Sequence, residues 1–197
     1  MDFLFRATGL LFLLIGQPSP ATAEWPVVNH DLSSQRHVEG LSFTRDNIRR
    51  LHVLCDVRLN EPAWFGSGIL EVDQTLYVTT LEATYAVSAL DCRPKWRSVV
   101  SYPNKTLPSY FATRGAAYFA GLLFRGTNDG RVLALDARTG ALQWTVQVAD
   151  PSRNEYVIAA PIAGSGRVFV GIASSDLGIR GRVMALDAVS GKTLWTF

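Results

Sequence analysis

The strongest constraint on the fold of this chain is an internal repeat. Residues 134–144 and 185–195 carry Ala, Asp, Gly and Trp at the same four positions. The repeat places Trp144 and Trp195 51 residues apart, a period that is typical of one four-stranded blade of a β-propeller. Aromatic residues that recur at a repeat period usually pack neighbouring repeats together. We therefore interpret both Trp residues as structural, and expect each to lie flat between two blades.

A weaker copy of the repeat precedes these two. Residues 86–96 keep the spacing from Ala to Trp96, with Ser88 in place of the Asp and Cys92 in place of the Gly. Trp96 lies 48 residues before the next repeat Trp, so the period is maintained. The Asp of the complete copies is expected to accept hydrogen bonds from backbone N–H groups of its own turn.

The fold class predicted from these signals is all-β, a β-propeller. Residues 122–127 and 131–135 are strand-forming and flank an Asn-Asp-Gly turn, while 167–172 and 181–186 repeat this hairpin around a longer loop. The chain holds about three such units. Because an open arc exposes strand edges, we expect an incomplete propeller whose edges are covered by remaining blades or by a partner.

Composition agrees with this interpretation and excludes other classes. Hydrophobic residues make up 48% and charged residues 18% of the chain, which is typical of a globular protein and not of a disordered chain or a coiled coil. The net charge is +2, with Lys and Arg scattered singly. Binding to phosphate backbones needs a basic stripe, so we expect no nucleic acid partner.

Residues 1–23 have the pattern of a secretory signal peptide. Arg6 supplies a positive charge, 7–16 form an apolar run, and the small residues Ala21 and Ala23 predict cleavage after Ala23. The alternative, a membrane anchor, is too short, because ten apolar residues reach about 15 Å as a helix. No other segment is long enough to span a membrane. Because of the signal peptide pattern, we expect an exported protein.

Cys55 and Cys92 enter an oxidising compartment in this interpretation, where they can pair. A bridge between them stabilises the fold by about 4 kcal/mol in the chain-entropy model. Neither Cys has a second Cys or a His at metal-ligand spacing, and the chain lacks a Cys-x-x-Cys-His haem attachment site. We interpret both cysteines as structural.

Over nearly the whole of 24–197, the sequence resembles the pyrroloquinoline-quinone (PQQ)-dependent alcohol dehydrogenases, periplasmic eight-bladed propellers with an Ala-x-Asp-x-x-x-Gly-x-x-x-Trp motif. The strongest matches are Thr-Arg-Gly-Ala-Ala-Tyr at 113–118 and Ser-Ser-Asp-Leu-Gly-Ile-Arg-Gly-Arg-Val at 174–183. The resemblance implies an N-terminal segment over 24–50 with a short first helix near 44–48, and a partial propeller over 51–197.

The same resemblance implies the residues of a cofactor site. Arg114 matches the family's quinone-contacting Arg, and Ser174 and Ser175 fall where a family loop lies against PQQ. Asp176 matches the acidic calcium ligand, which is usually Glu. These assignments suit the chemistry, since PQQ is a planar tricarboxylate that pairs with a guanidinium, and Ca²⁺ prefers carboxylate oxygens. The alternatives are that Arg114 forms a surface ion pair and that Asp176 caps its own loop.

Several positions depart from the family pattern. Pro108 and Ser109 stand where many members have adjacent cysteines, Ile158 stands where a cofactor-contacting Thr is expected, and Gly66 lies near the expected Glu contact. The family's catalytic Asp base, its Asn calcium ligand and the Trp that stacks on the quinone come from later blades.

Two functions follow from these observations. The first is the N-terminal part of a periplasmic PQQ- and calcium-dependent dehydrogenase that oxidises a small-molecule alcohol, with a cytochrome c or a further domain as electron acceptor. This chain by itself is then expected to be inactive. The alternative is a non-catalytic PQQ-like propeller scaffold for protein–protein interaction, similar to outer-membrane assembly proteins that share the repeat. Calcium-dependent affinity for PQQ distinguishes the two.

Overall fold

The computed structural model describes residues 24–38, 43–59, 61, 65–102, 113–172 and 177–197. Within these residues the chain forms three four-stranded antiparallel sheets, and in each sheet the strand order follows the chain order. The predicted all-β fold with about three propeller blades is therefore confirmed. In place of the short helix expected near 44–48, a single turn of 3-10 helix spans Ile48–Arg50.

The three blades share one plan. The first blade consists of β1 (Leu70–Val72), β2 (Thr75–Thr79), β3 (Ala83–Ser88) and β4 (Pro94–Val99). The second consists of β5 (Ala116–Phe119), β6 (Leu122–Gly126), β7 (Arg131–Asp136) and β8 (Leu142–Gln147). The third consists of β9 (Ile162–Gly164), β10 (Arg167–Ile172), β11 (Arg182–Asp187) and β12 (Thr193–Thr196). A second 3-10 turn, Pro151–Arg153, connects the second blade to the third.

The turn between the third and fourth strands of each blade carries the repeat motif. Asp136 Oδ1 accepts a hydrogen bond from Thr139 N at 2.7 Å, and Asp187 Oδ1 accepts one from Ser190 N at 2.8 Å. Gly140 follows in the left-handed region at φ +73°. The predicted role of the Asp as an acceptor for its own turn is confirmed.

The repeat Trp residues join the blades. Trp96 donates from Nε1 to Ala137 O at 3.0 Å and lies against Gly140, so a residue of the first blade docks on the turn of the second. Trp144 donates to Ala188 O of the third blade at 3.1 Å in the same way. The prediction that the repeat Trp packs between two blades is confirmed for Trp144, whereas Trp195 on β12 is 44% exposed and contacts no following blade among the described residues. The structure adds that the Gly in contact with each Trp belongs to the following blade.

A buried arginine forms a second link between the first two blades. Arg125 on β6 is 1% exposed, and its guanidinium donates to Ala83 O at 2.8 Å and to Thr80 O at 2.7 Å. Both acceptors lie at the β2–β3 connection of the first blade. Burial lowers the pKa of Arg125 to about 10. No carboxylate of the described residues forms an ion pair with it, so backbone carbonyls satisfy the buried cation.

Residues 25–32, which we call the N-terminal strap, cross the first strands of all three blades. Trp25 pairs antiparallel with Glu71 of β1, with N···O distances of 2.6 and 3.1 Å between their backbones. Pro26 O accepts a hydrogen bond from Tyr118 N of β5 at 2.8 Å. Leu32 Cδ1 lies 3.9 Å from the place where a Cβ on Gly164 of β9 would stand. The strap therefore ties the three blades together along their first strands.

Among the described residues, no helix is long and apolar enough to cross a membrane.

Candidate cofactor site

The backbone of Arg114 lies where the entry segments of all three blades meet. Its N–H donates to Ile158 O, before the third blade, at 3.0 Å, and its carbonyl accepts from Gly68 N, before the first blade, at 3.0 Å. Arg114 itself precedes β5 of the second blade. These two hydrogen bonds fix three chain segments side by side, although the residues are far apart in sequence.

Two glycines make this junction close-packed. A Cβ on Gly68 would stand 2.9 Å from Val28 Cγ1, and a Cβ on Gly115 would stand 2.9 Å from Val28 Cγ2. Gly115 also has φ +130°, a conformation that L-residues rarely adopt. The strap residue Val28 therefore fits between two positions that need to be glycine, and it holds the strap beside Arg114.

The Arg114 side chain is exposed and points toward Gly66. A Cβ on Gly66 would lie 3.9 Å from Arg114 Nη1, an ordinary contact distance, so the guanidinium passes over a position that has no side chain. No carboxylate of the described residues lies within ion-pair distance of Arg114. Its charge and its paired N–H donors are therefore available to an anionic ligand.

Arg114 borders a cleft of about 250 Å³ between the strap and the third blade. The strap side of the cleft is mixed, with polar Asn29 and Asp31 beside apolar Val27, Val28 and Leu32, and Ser34 follows just beyond the strap. On the opposite side, Ala159 to Ile162 are apolar. Asp31 Oδ2 lies 3.5 Å from His30 Nδ1, and its Oδ1 is buried without a hydrogen-bond partner among the described residues. The cleft thus combines one cation, polar groups and an apolar wall.

The structure brings together three of the positions that sequence comparison singled out. Arg114, Gly66 and Ile158 form one cluster, although Gly66 and Ile158 contribute no polar side chain to it. Of the other predicted site residues, Ser174, Ser175 and Asp176 lie outside the described residues, and so do the departures at Pro108 and Ser109. In the part of the chain that the structure describes, no three His, Cys, Asp or Glu side chains are grouped closely enough to hold a metal ion.

Sequence reasoning did not assign the strap residues to the site. The run Asn29-His30-Asp31 lies outside the repeat motif and outside the pattern of the signal peptide. Its contribution to the cleft depends on the strap crossing the blades, a long-range arrangement that leaves no periodic signal. The local indication in the sequence is that this polar run directly follows the apolar pair Val27-Val28.

An ion pair positions the first residue of β11. Glu155 is buried, and both its carboxylate oxygens accept hydrogen bonds from the Arg182 guanidinium at 2.8 Å. Hydrogen bonding to Arg182, followed by that to the backbone of Asp150, lowers the pKa of Glu155 to about 2. Because Arg182 begins β11, this pair fixes the start of that strand against the segment that follows the second blade.

The comparisons with known proteins agree with this architecture. A protein family described as outer membrane protein assembly factor BamB matches residues 53–197. Together with the Trp-docked four-stranded blades, this match defines the class of the protein: a β-propeller built from PQQ-type repeats.

Individual proteins that the chain is similar to are alcohol and methanol dehydrogenases. The dehydrogenase subunit of a quinone alcohol dehydrogenase from Gluconacetobacter polyoxogenes is 32% identical over 88% of this chain and 25% of its own length. A lanthanide-dependent methanol dehydrogenase from Methylacidiphilum fumariolicum is 29% identical over 87% of this chain and 29% of its own length. The solved structure of a europium-containing methanol dehydrogenase matches with a TM-score of 0.81 and 28% identity, over 88% of this chain and 31% of that chain.

The chain belongs to the family of PQQ-dependent (quinoprotein) alcohol dehydrogenases. It spans about a quarter of the length of the first of these relatives.

Proposed function

We propose that this chain is the N-terminal part of a periplasmic dehydrogenase that uses PQQ and calcium to oxidise alcohols. The observation that carries the proposal is the Arg114 guanidinium, which has no carboxylate partner among the described residues and lies at the junction of three blades, above a position without a side chain. A carboxylate group is the ligand that such a guanidinium binds best, because it can accept two parallel N–H hydrogen bonds. Family membership makes PQQ, which carries three carboxylates, the natural candidate.

The residues present fit the cofactor by their donor chemistry. Arg114 binds a carboxylate, while Ser174 and Ser175 donate hydroxyl hydrogen bonds to further oxygens in this proposal. Asp176 supplies a hard oxygen ligand for calcium. The backbone links of Arg114 to Gly68 and Ile158 fix the point from which its side chain extends before the ligand arrives, so the backbone pays no further entropic cost on binding.

PQQ, when bound, supplies the two-electron redox chemistry of alcohol oxidation. The role of this chain is to hold and orient the cofactor, because the family's proton-abstracting Asp is expected in later blades. The chain alone is therefore proposed to be inactive. The complete protein is proposed to act in the periplasm after cleavage behind Ala23, with a small-molecule alcohol as substrate and a cytochrome c as electron acceptor.

The metal in this proposal is calcium, but the names of two similar proteins include a lanthanide. Both kinds of ion are hard and prefer oxygen ligands, so one short carboxylate does not by itself separate them. Binding experiments should therefore compare Ca²⁺ with La³⁺ at equal ionic strength.

A PQQ titration of the full native protein tests the proposal. We expect Arg114→Ala to weaken PQQ binding roughly 10- to 100-fold, since a charge-assisted hydrogen bond contributes about 1.5–3 kcal/mol. The matched control is Arg138→Ala, which removes an equally exposed Arg from a repeat turn and should leave the affinity unchanged. Loss of affinity without added metal, and its recovery with Ca²⁺, would support the calcium assignment.

The second candidate function is a non-catalytic scaffold that binds other proteins. It is favoured by Gly66 and Ile158, which place no polar side chain beside Arg114. The family match to an assembly factor points in the same direction. A scaffold should show no saturable PQQ binding with either metal, and Arg114→Ala should then behave as its control does.

A further inference from the structure

The repeat turn of the first blade has the same backbone frame as the other two. Cys92 N donates to Ser88 O at 2.9 Å, as Gly140 N donates to Asp136 O at 2.8 Å in the second blade. Cys92 also has a left-handed backbone, with φ +60° against +73° at Gly140. Cys92 therefore occupies the structural position of the docking glycine, at a φ that is unusual for a residue with a side chain.

That position cannot accept a docking Trp. A Cβ on Gly140 would stand 2.6 Å from Cε3 of Trp96, and one on Gly191 would stand 2.7 Å from Cε3 of Trp144. Cys92 already has a Cβ, and its sulfur forms a disulfide with Cys55. The side of the turn that a Trp covers in the second and third blades is thus covered by Cys55 in the first.

A second recurring contact is also missing from the first blade. Arg131 begins β7 and donates to Ser101 O of the first blade at 2.7 Å, and Arg182 begins β11 and donates to Val148 O of the second blade at 3.4 Å. The equivalent first residue of β3 is Ala83, which has no side-chain donor. The first blade therefore lacks both side-chain contacts by which the other blades attach to the one before them.

The chain itself covers this face of the first blade. Tyr85 points away from the second blade, and its hydroxyl lies 3.3 Å from Leu59 O and donates to the Glu61 carboxylate. Arg97 Nη2 lies 3.5 Å from Glu61 Oε1, and the Glu61 side chain is 6% exposed. The cross-strand neighbour of Tyr85, Val78, is buried.

We propose that the Cys55–Cys92 disulfide is the covalent counterpart of the Trp-on-Gly docking contact, and that residues 55–59 together with Glu61 are thereby attached to the face of the first blade that receives a preceding blade in the other two. This segment of the chain's own sequence is the occupant of the face. The attachment is redox-dependent, unlike the two Trp-docked junctions, and a second copy of the chain cannot dock there through its Trp195.

Hydrogen–deuterium exchange on the full-length chain, with and without a phosphine reductant, tests the proposal. Reduction should speed amide exchange in residues 83–99, the hydrogen-bonded β3–β4 hairpin whose turn carries Cys92, by at least roughly tenfold, while exchange in 134–144 and 185–195 stays unchanged. The decisive variant is Cys55→Trp/Cys92→Gly, which replaces the disulfide by the pair found at the other junctions. We expect it to protect 83–99 whether or not reductant is present.

The matched control is Cys55→Ala/Cys92→Gly, which has the glycine but no Trp and should exchange fast in both conditions. Equal exchange in the Trp/Gly and Ala/Gly variants would overturn the proposal, because a Trp at position 55 would then not restore the attachment that the disulfide provides. Unchanged protection of the wild-type hairpin on reduction would overturn it as well. If the Trp/Gly variant does not fold, the wild-type comparison decides alone.

Discussion

Replacing one docking glycine tests how the blades are joined. A Cβ added to Gly140 would lie 2.6 Å from Cε3 and 2.8 Å from Cδ2 of Trp96, whereas carbon atoms in contact prefer about 3.5–4.0 Å. The indole therefore has to move by about 1 Å and weaken its hydrogen bond to Ala137 O. Overpacking of this kind costs about 1–3 kcal/mol. The left-handed backbone of Gly140 adds about 1–2 kcal/mol for any residue with a side chain.

Gly140→Ala should thus lower the free energy of unfolding by about 2–5 kcal/mol. The matched control is Gly121→Ala in the same blade, since Gly121 has φ +82° and no heavy atom within 4 Å of an added Cβ. The control should lose only the backbone contribution of about 1–2 kcal/mol. The free energy of unfolding of both variants is measured by urea unfolding under oxidising conditions, monitored by Trp fluorescence.

The reasoning also predicts a coupling. In a Trp96→Ala background, Gly140→Ala should cost no more than Gly121→Ala, because the overlapping ring is gone. Equal destabilisation by Gly140→Ala and Gly121→Ala in the wild-type background would refute the docking argument, and backbone conformation alone would then explain why glycine occupies the turn.

Two further predictions concern buried charges. The folded-state pKa of Glu155 is about 2 against 4.5 in the unfolded chain, so its pairing with Arg182 stabilises the protein fully above pH 4.5 and is lost as the pH falls toward about 2. Glu155→Gln should flatten the pH dependence of unfolding across that window, and an unaltered acid limb would contradict the assignment. Arg125→Met should lower the unfolding free energy by about 3 kcal/mol, because the carbonyls of Ala83 and Thr80 lose buried donors. Arg125→Lys should recover part of the loss, and a Met variant as stable as the wild type would show that the carbonyls find other donors.

The blade architecture could be predicted because its signals are local and repeated. The spacing of Trp96, Trp144 and Trp195 reports the length of one blade, and the Asn-Asp-Gly turn reports a hairpin within a few residues. The Cys55–Cys92 pairing was also predictable, because the described chain offers these cysteines no other Cys partner.

Contacts between distant segments could not be predicted in the same way. Arg125 reads as an ordinary polar residue in a strand, and its burial follows only from how the second blade stacks on the first. The strap residue Asp31 likewise reaches the cleft only because Trp25 pairs with Glu71. Arg114 was identified through family resemblance, and its backbone links to Gly68 and Ile158 appear only in the folded chain.

The N-terminal strap has a consequence for the order in which the chain folds. Its partners lie progressively later in the sequence: Trp25 pairs with Glu71, Pro26 O with Tyr118 N, and Leu32 lies beside Gly164. A chain that emerges N-terminus first, from the ribosome or across a membrane, presents the strap before the last of these partners is available. Each blade, once folded, can bind the next strap residues, so the strap attaches stepwise. Its last contact can form only after the third blade has folded. Deleting the strap should therefore slow the late steps of folding more than the formation of the first blade.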